Sequence, residues 1–335
     1  MTDDPRLVAR DRLVAGAGFD PSTIRPLAAD ASFRSYHRTT DTDGHRHAVL
    51  MDAPPGREDI RPFVRIARLL QDWQLSAPQI LAEDPIAGYL LLEDLGDGLF
   101  SRLNTTPERT AMLYAAAVEV LAQIGRHPVP DDLPRHDLTC LLDEVALFLD
   151  WRWPEIVGRP ATDAERQGFR QAWEAVLTPV ASRLDTLVHR DFFLDNLIWL
   201  PDRQGVQRVG LLDFQDAVAG HPAYDLVSLL ADARRDVDPG LARAMLHRYL
   251  DLTGHAAEPF RVACAALGAQ RNTRILGVFT RLWRRDGKPG YCRWLARCWR
   301  LVQRDLAQPG MEPVAAWFAA HVPVDTAALE MEERT

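Results

Sequence analysis

Two stretches decide how this chain reads. The first is His189-Arg190-Asp191-Phe192-Phe193-Leu194-Asp195-Asn196, and the second is Val209-Gly210-Leu211-Leu212-Asp213-Phe214. The first runs into an apolar segment, Leu197-Ile198-Trp199-Leu200, of strand character. Four residues separate Asp191 from Asn196, a loop long enough to turn both side chains toward one point. The run 197–200 anchors that loop in a core, and the run 209–212 sets Asp213 at the end of a second buried strand. An acid, an amide and an acid are hard oxygen donors of the kind that hold Mg²⁺. The same residue types also serve as caps and turns. It is their spacing on two short strands that makes the set specific.

Working outward, residues 4–16 read as a short helix. Runs 24–28, 33–39 and 46–52 read as strands, with a hairpin turn at Asp43-Gly44 and a stop at Pro54-Pro55-Gly56. From Glu58 to Trp73 the apolar residues follow helical spacing, and two more strands are expected at 79–83 and 89–94. After Leu95-Gly96-Asp97-Gly98 the chain turns helical, with helices expected over 107–126, 138–152, 162–181, 221–235, 238–252, 258–283 and 288–307. The expected fold class is α+β. A small five-stranded β lobe with one helix (1–95) precedes a large, mainly helical lobe (96–335).

Composition narrows the class of function. Hydrophobic residues make up 47% of the 335 and charged residues 26%, which suits a packed core and excludes a disordered chain. No run reaches the roughly 18 apolar residues of a membrane span, and the start lacks a secretory core, so no membrane partner is expected. Net charge is −8, which argues against nucleic acid as a partner. From Glu258 to Asp305, however, eleven basic residues face three acids. With −8 overall and +8 here, the rest of the chain carries −16. Solvated helix faces account for most of those arginines, and the remainder form a local field that favours an anion. Cys140, Cys264, Cys292 and Cys298 make no metal or disulfide pattern, and free thiols fit a cytoplasmic protein.

The order His-Arg-Asp, four residues, Asn, then a strand ending in Asp-Phe matches the catalytic loop and metal-holding acid of the protein-kinase fold. In that chemistry Asp191 is the base, or the group that orients the acceptor hydroxyl, while Asn196 and Asp213 hold Mg²⁺ on the ATP phosphates. Only a short stretch separates Asp213 from the helix near His221, with no room for a peptide platform, so the acceptor is small. The chain resembles the aminoglycoside phosphotransferase and choline kinase superfamily, a small-molecule branch of the protein-kinase-like bilobal fold. The segments LAADASFRSYHR, LVHRDFFLDNLIW, VGLLDFQDAVAGHPAYDLVSLL and RNTRILGVFTRLWRRDGKPGY resemble, more narrowly, the bacterial anomeric N-acetylmuramate/N-acetylglucosamine kinases of cell-wall recycling.

That resemblance implies ATP and Mg²⁺ as cofactors and a hinge at Glu93-Asp94-Leu95 that reads adenine through its backbone. Two departures matter. No glycine-rich loop joins the first strands; Asp30-Ala31-Ser32 stands there, and Ser32 is a candidate phosphate contact. The third-strand lysine is replaced by Met51, and either Arg34 or Arg38, two alternating residues of the second strand, is available to supply the charge or to point into solvent. Glu58, with no lysine to face, reads as a charge at a helix start, and Asp225 as an acid that braces the catalytic loop. Gln215 and Asp216 either reach acceptor hydroxyls or order their own loop.

Arg271, Arg274 and Arg281 are candidate contacts for an anionic or neutral amino sugar; Trp283 and Tyr291 either stack on its ring or fill the core. The function expected is therefore a sugar kinase acting on an anomeric hydroxyl. The alternatives are an aminoglycoside or amino-alcohol phosphotransferase, and a non-catalytic nucleotide-binding scaffold. A monomer or weak homodimer is expected.

Overall fold

In the computed structural model, residues 4–29, 33–103 and 105–323 are described, and Ser32 lies outside them. Among these residues no helix is long and apolar enough to cross a membrane. The chain forms two compact units: residues 1–120 with 194–216, and residues 121–193 with 217–335.

The first unit opens with helix α1 (Pro5–Gly16), capped by the Asp4 carboxylate on Arg6 N and started by a proline at N1. Strands β1 (Arg25–Ala29), β2 (Ser35–Thr40) and β3 (His47–Asp52), helix α2 (Arg61–Asp72), and strands β4 (Ile80–Asp84) and β5 (Tyr89–Glu93) follow, as the alternation of residues suggested. The five strands form one antiparallel sheet in the order β1-β2-β3-β5-β4. Helix α2 buries Phe63, Ile66, Ala67 and Leu70, spaced one and two turns apart. The β4–β5 turn requires glycine: Gly88 has φ +75°, and a Cβ there would stand 2.1 Å from the Ala53 carbonyl oxygen.

After helices α3 (Phe100–Leu103) and α4 (Pro107–Ile124), the unit is completed from far along the chain by the hairpin β7 (Leu197–Trp199) and β8 (Val209–Leu211). Leu211 N donates to Ser76 O (2.9 Å), Ser76 Oγ to Gln207 O (2.7 Å) and Trp199 N to Gly98 O (2.7 Å). Leu95, Ile198 and Leu200 form a small apolar cluster beneath these bonds.

The second unit is built on α10 (Ala257–Arg284), a helix of 28 residues, packed with α5 (Leu138–Leu147), α7 (Asp163–Ala181), α8 (Ala223–Leu230) and α11 (Leu295–Leu306). It also holds α6 (Trp153–Val157), α9 (Pro239–Thr253), α12 (Glu312–His321) and the two-stranded ladder β6 (Thr186–Val188) with β9 (Val218–Gly220). Three expected helices end differently. The one over 138–152 is α-helical only to Leu147 and continues as a wider π turn, Phe148–Arg152. That turn lies where Gly277 lets α10 approach; a Cβ there would come within 2.4 Å of the Leu147 carbonyl. The helix over 221–235 stops at Leu230, because Asp232 takes Arg234 N (2.8 Å) and Arg235 Nε (2.9 Å) into a turn of its own. The helix over 288–307 begins as a 3₁₀ segment, Pro289–Trp294, where Tyr291 and Trp294 pack on Phe279. Helix α12, apolar on nearly all sides, was not expected; it buries Val314, Trp317 and Phe318.

One buried acid of this core makes stability depend on pH. Asp305 is 6% exposed, its Oδ2 has no hydrogen-bond partner among the described residues, and burial pushes its pKa up to about 6. Between its ordinary value of 3.8 and 6 the folded state binds more protons than the unfolded one, so this group's contribution falls as pH rises through that window. Asp305→Asn should then raise stability at pH 7.5 by about 2–3 kcal/mol and change little at pH 4. Urea denaturation at the two pH values measures this, and an equal effect at both would refute it.

Candidate active site

In the first unit a cavity of about 530 Å³ opens on the β2–β3–β5 face of the sheet. Val49, Phe63, Leu92, Ile198 and Leu212 give it apolar walls wide enough for a flat aromatic ring, and Glu93, Asp94 and Leu95 form one edge. Asn196 and Asp213 line the same cavity. Their approach follows from the backbone: Leu212 N donates to Asn196 O (3.0 Å), which locks the end of the β7–β8 hairpin and leaves Asp213 as the next residue. Asp213 has φ +60°, a left-handed conformation that costs a non-glycine residue roughly 1–2 kcal/mol. Gln215 Nε2 holds it by donating to Asp213 Oδ1 (2.8 Å) and to Asp216 Oδ2 (3.2 Å), so Gln215 orders this loop. An amide oxygen and a carboxylate on one cavity fit a divalent cation with a polyphosphate.

The hinge side chains are engaged elsewhere, which leaves backbone to face the cavity. Glu93 pairs with Arg203. Asp94 and Asp97 both accept from Arg38 Nη2, at 3.1 and 3.0 Å, and pair with its guanidinium. Arg38 is therefore tied to the hinge. Arg34 stands at the other end of β2 with its Nε 3.8 Å from Glu58 Oε2, so Glu58 has a cationic partner after all, an arginine rather than a lysine.

The second unit holds Asp191. Strand β6 is wholly buried and delivers His189, Arg190 and Asp191 in succession. Asp225, in the first turn of α8, accepts His189 N (2.6 Å) and Arg190 N (2.9 Å) and is 3% exposed. Burial pushes its pKa up to about 6, against the pull of His189 and of those two N–H donors. The clamp holds Arg190 at φ +76°. Among the described residues only Gln74, Arg190 and Asp213 are non-glycine residues with positive φ, and two of these lie in the stretches quoted first.

A residue that sequence reasoning missed organises this region. Glu144 of α5 accepts Arg190 Nη2 (2.5 Å), His136 Nε2 (3.1 Å) and Gln270 Nε2 (3.1 Å), with Arg274 Nε at 3.5 Å. Burial opposes its charge, yet His136, Arg274 and Arg190 hold its pKa well below the usual carboxylate range. The sequence carried a signal for it: Glu144 sits one turn from Leu141 and beside Val145, on the apolar face of its helix. Cys140 and His136 approach Glu144 within 4.8 Å, but two guanidiniums share that carboxylate and burial pushes the thiol up to about 11, an arrangement of hydrogen bonds rather than of metal ligands.

Of the candidate acceptor contacts, Arg274 is partly exposed beside Glu144; burial disfavours its charge, but Tyr224, Glu144 and Asp191 more than reverse that. Arg271 is 3% exposed, with Nε and Nη1 lacking partners among the described residues, and burial lowers the pKa of Arg281. Much of the positive segment is neutralised locally: Arg261 pairs with Glu258, Arg284 with Glu155, Arg285 with Asp286, Arg297 with Asp236 and Arg304 with Asp305. Tyr291 packs on Phe279 and Trp294, and Trp283 carries the Arg284 guanidinium 3.5 Å above its ring.

Comparison with known proteins places this architecture. An aminoglycoside phosphotransferase with ADP bound superposes with a TM-score of 0.60 at 14% identity, over 91% of this chain and 99% of that one. A choline kinase from Streptococcus pneumoniae does so at 0.57 and 13% identity, over 97% and 98%. The fold is thus that of small-molecule kinases, a five-stranded sheet with a mainly helical second part. Residues 23–260 match the phosphotransferase enzyme family, and the chain belongs to it. An N-acetylmuramate/N-acetylglucosamine kinase of Caulobacter vibrioides is 38% identical over 96% of this chain and 98% of its own length. The protein is a phosphotransferase.

Proposed function

We propose that this protein transfers the γ-phosphoryl group of ATP to the anomeric hydroxyl of N-acetylmuramate or N-acetylglucosamine. The observation that carries the nucleotide half is the single cavity shared by residues 93–95, Asn196 and Asp213. The acceptor half is supported by similarity over nearly the whole chain to a kinase named for those two sugars. Partly exposed Arg274 and buried Arg271 fit an anionic acceptor better than a polycationic one.

In this reading residues 1–95 bind nucleotide and residues 96–335 supply catalysis and the acceptor site. Asn196 and Asp213 would hold Mg²⁺, which when bound neutralises charge on the phosphates. Asp191 accepts the proton of the anomeric hydroxyl while its oxygen bonds to the γ-phosphorus; the bond to the β-phosphate oxygen breaks and ADP leaves. Arg190, held by Asp225 and Glu144, fixes the backbone from which Asp191 projects. A monomer or weak dimer in the ATP-containing, reducing cytoplasm suits both the chemistry and four free thiols.

The test is a panel of N-acetylmuramate, N-acetylglucosamine, kanamycin and choline with ATP and Mg²⁺, read by mass spectrometry. Sugar 1-phosphates are expected, with kcat/KM for the best amino sugar at least 100-fold above that for kanamycin or choline. Faster turnover of either amine would overturn the acceptor assignment and leave the fold-level class intact.

A further inference from the structure

Among the described residues, the cavity that holds Asn196 and Asp213 is lined by the carboxylates of Glu93, Asp94, Asp97, Asp195 and Asp213 and by a single cation, Arg102. An excess of carboxylates repels a polyphosphate unless positive charge is supplied. The third-strand position that carries a phosphate-binding lysine in kinases is here Met51, which is wholly buried. Two arginines outside the lining neutralise the hinge: Arg203 pairs with Glu93, and Arg38 with Asp94 and Asp97. Both guanidiniums are thereby engaged by protein carboxylates.

Arg102 is held differently. It acts on Asp97 through space, but the Asp97 carboxylate accepts its hydrogen bonds from Arg38. Among the described residues no hydrogen bond or ion pair ties the Arg102 guanidinium, and the residue is exposed. The backbone fixes where it stands. Leu99 bridges Ile198 in antiparallel fashion, and Trp199 N donates to Gly98 O (2.7 Å). Antiparallel partners run in opposite directions, so the chain passing from Leu99 into α3 advances toward the residues that precede β7. Helix α3 accordingly packs on the turn Leu194–Asn196. Arg102 therefore stands beside the segment that presents Asn196, and both residues line the cavity. A guanidinium has five N–H donors and no acceptor, and its planar fork matches the oxygens of a phosphate.

We propose that Arg102 is the cation of this cavity that contacts the nucleotide's phosphates. The proposal rests on the reading that the cavity binds ATP. An arginine that only solvates the rim would alter no nucleotide affinity. One that bonds the ribose hydroxyls would affect ATP and adenosine alike, and these differences are the basis of the test.

Isothermal calorimetry with ATP and with adenosine is performed on the wild type, Arg102→Met, Arg102→Lys and, as a surface control, Arg61→Met. Arg102→Met should weaken ATP binding about 10- to 50-fold, the loss of a charge-assisted contact, and leave adenosine within about twofold. Arg102→Lys should recover most of that loss, and Arg61→Met should match the wild type. Because the contact is exposed, added KCl should weaken ATP binding more steeply in the wild type than in Arg102→Met. Equal losses for ATP and adenosine in Arg102→Met, or an ATP affinity within twofold of wild type, overturn the assignment of Arg102 and leave the cavity reading intact. A wild type that binds neither ligand overturns the cavity reading itself. Thermal melting of each variant identifies any that fails to fold, and Arg102→Lys then decides by whether it keeps the wild-type preference for ATP over adenosine.

Discussion

Asp191→Asn is expected to lower kcat by about 10³-fold, within the range that a positioned acid–base group contributes, while ATP affinity and melting temperature stay near wild type. The reason is chemical. The amide keeps the shape of the carboxylate but cannot take a proton from the acceptor hydroxyl. Its backbone carbonyl accepts Phe193 N (3.1 Å), a contact that the substitution retains. Initial rates at saturating ATP and acceptor, with calorimetry of nucleotide binding, measure the split between kcat and affinity. Turnover within tenfold of wild type would remove Asp191 from the chemistry and leave its loop a structural turn.

Asp225 should behave differently, and two substitutions separate its roles. Asp225→Ala strands the buried N–H groups of His189 and Arg190, each worth about 1–3 kcal/mol when unsatisfied. It also removes a buried charge whose raised pKa, about 6, marks a cost of order 3 kcal/mol at neutral pH. Two orphaned donors and a cavity outweigh that relief, so a net loss of about 3 kcal/mol is expected in urea denaturation. Asp225→Asn keeps one oxygen acceptor and sheds the charge, so its stability should lie within about 1–2 kcal/mol of wild type. Its kcat should nonetheless fall 10- to 100-fold, because its NH₂ group cannot accept the second N–H and the left-handed turn at Arg190 loses half its clamp. Wild-type kcat in Asp225→Asn would show that the clamp serves folding alone.

The fates of Arg34, Arg38 and Glu58 show how far the sequence carried the site. Alternation along β2 put both arginines on one face, but it could not say that Asp94 and Asp97 would bind one and Glu58 the other, because those partners lie 20 to 60 residues away. Glu144 was legible only as an acid on an apolar helix face; its four partners come from three separate segments, Gln270 and Arg274 sharing α10. Gln215 was ambiguous until its amide was seen to donate to Asp213. Ser32, the remaining candidate phosphate contact, lies outside the described residues.

Local interactions were enough to determine the five strands and α2, since periods of two and near 3.6 residues leave a direct imprint on where apolar residues fall. They also determined the spacing of Asp191, Asn196 and Asp213, which needs only a loop and two short strands. Tertiary structure alone decided that residues 194–216 would complete the first unit, through bonds from Ser76 and Gly98 to a hairpin more than 90 residues on. It alone decided which carboxylate meets which arginine. Charge attraction acts between any such pair brought near, and only the packing of distant segments selects the pairs that form.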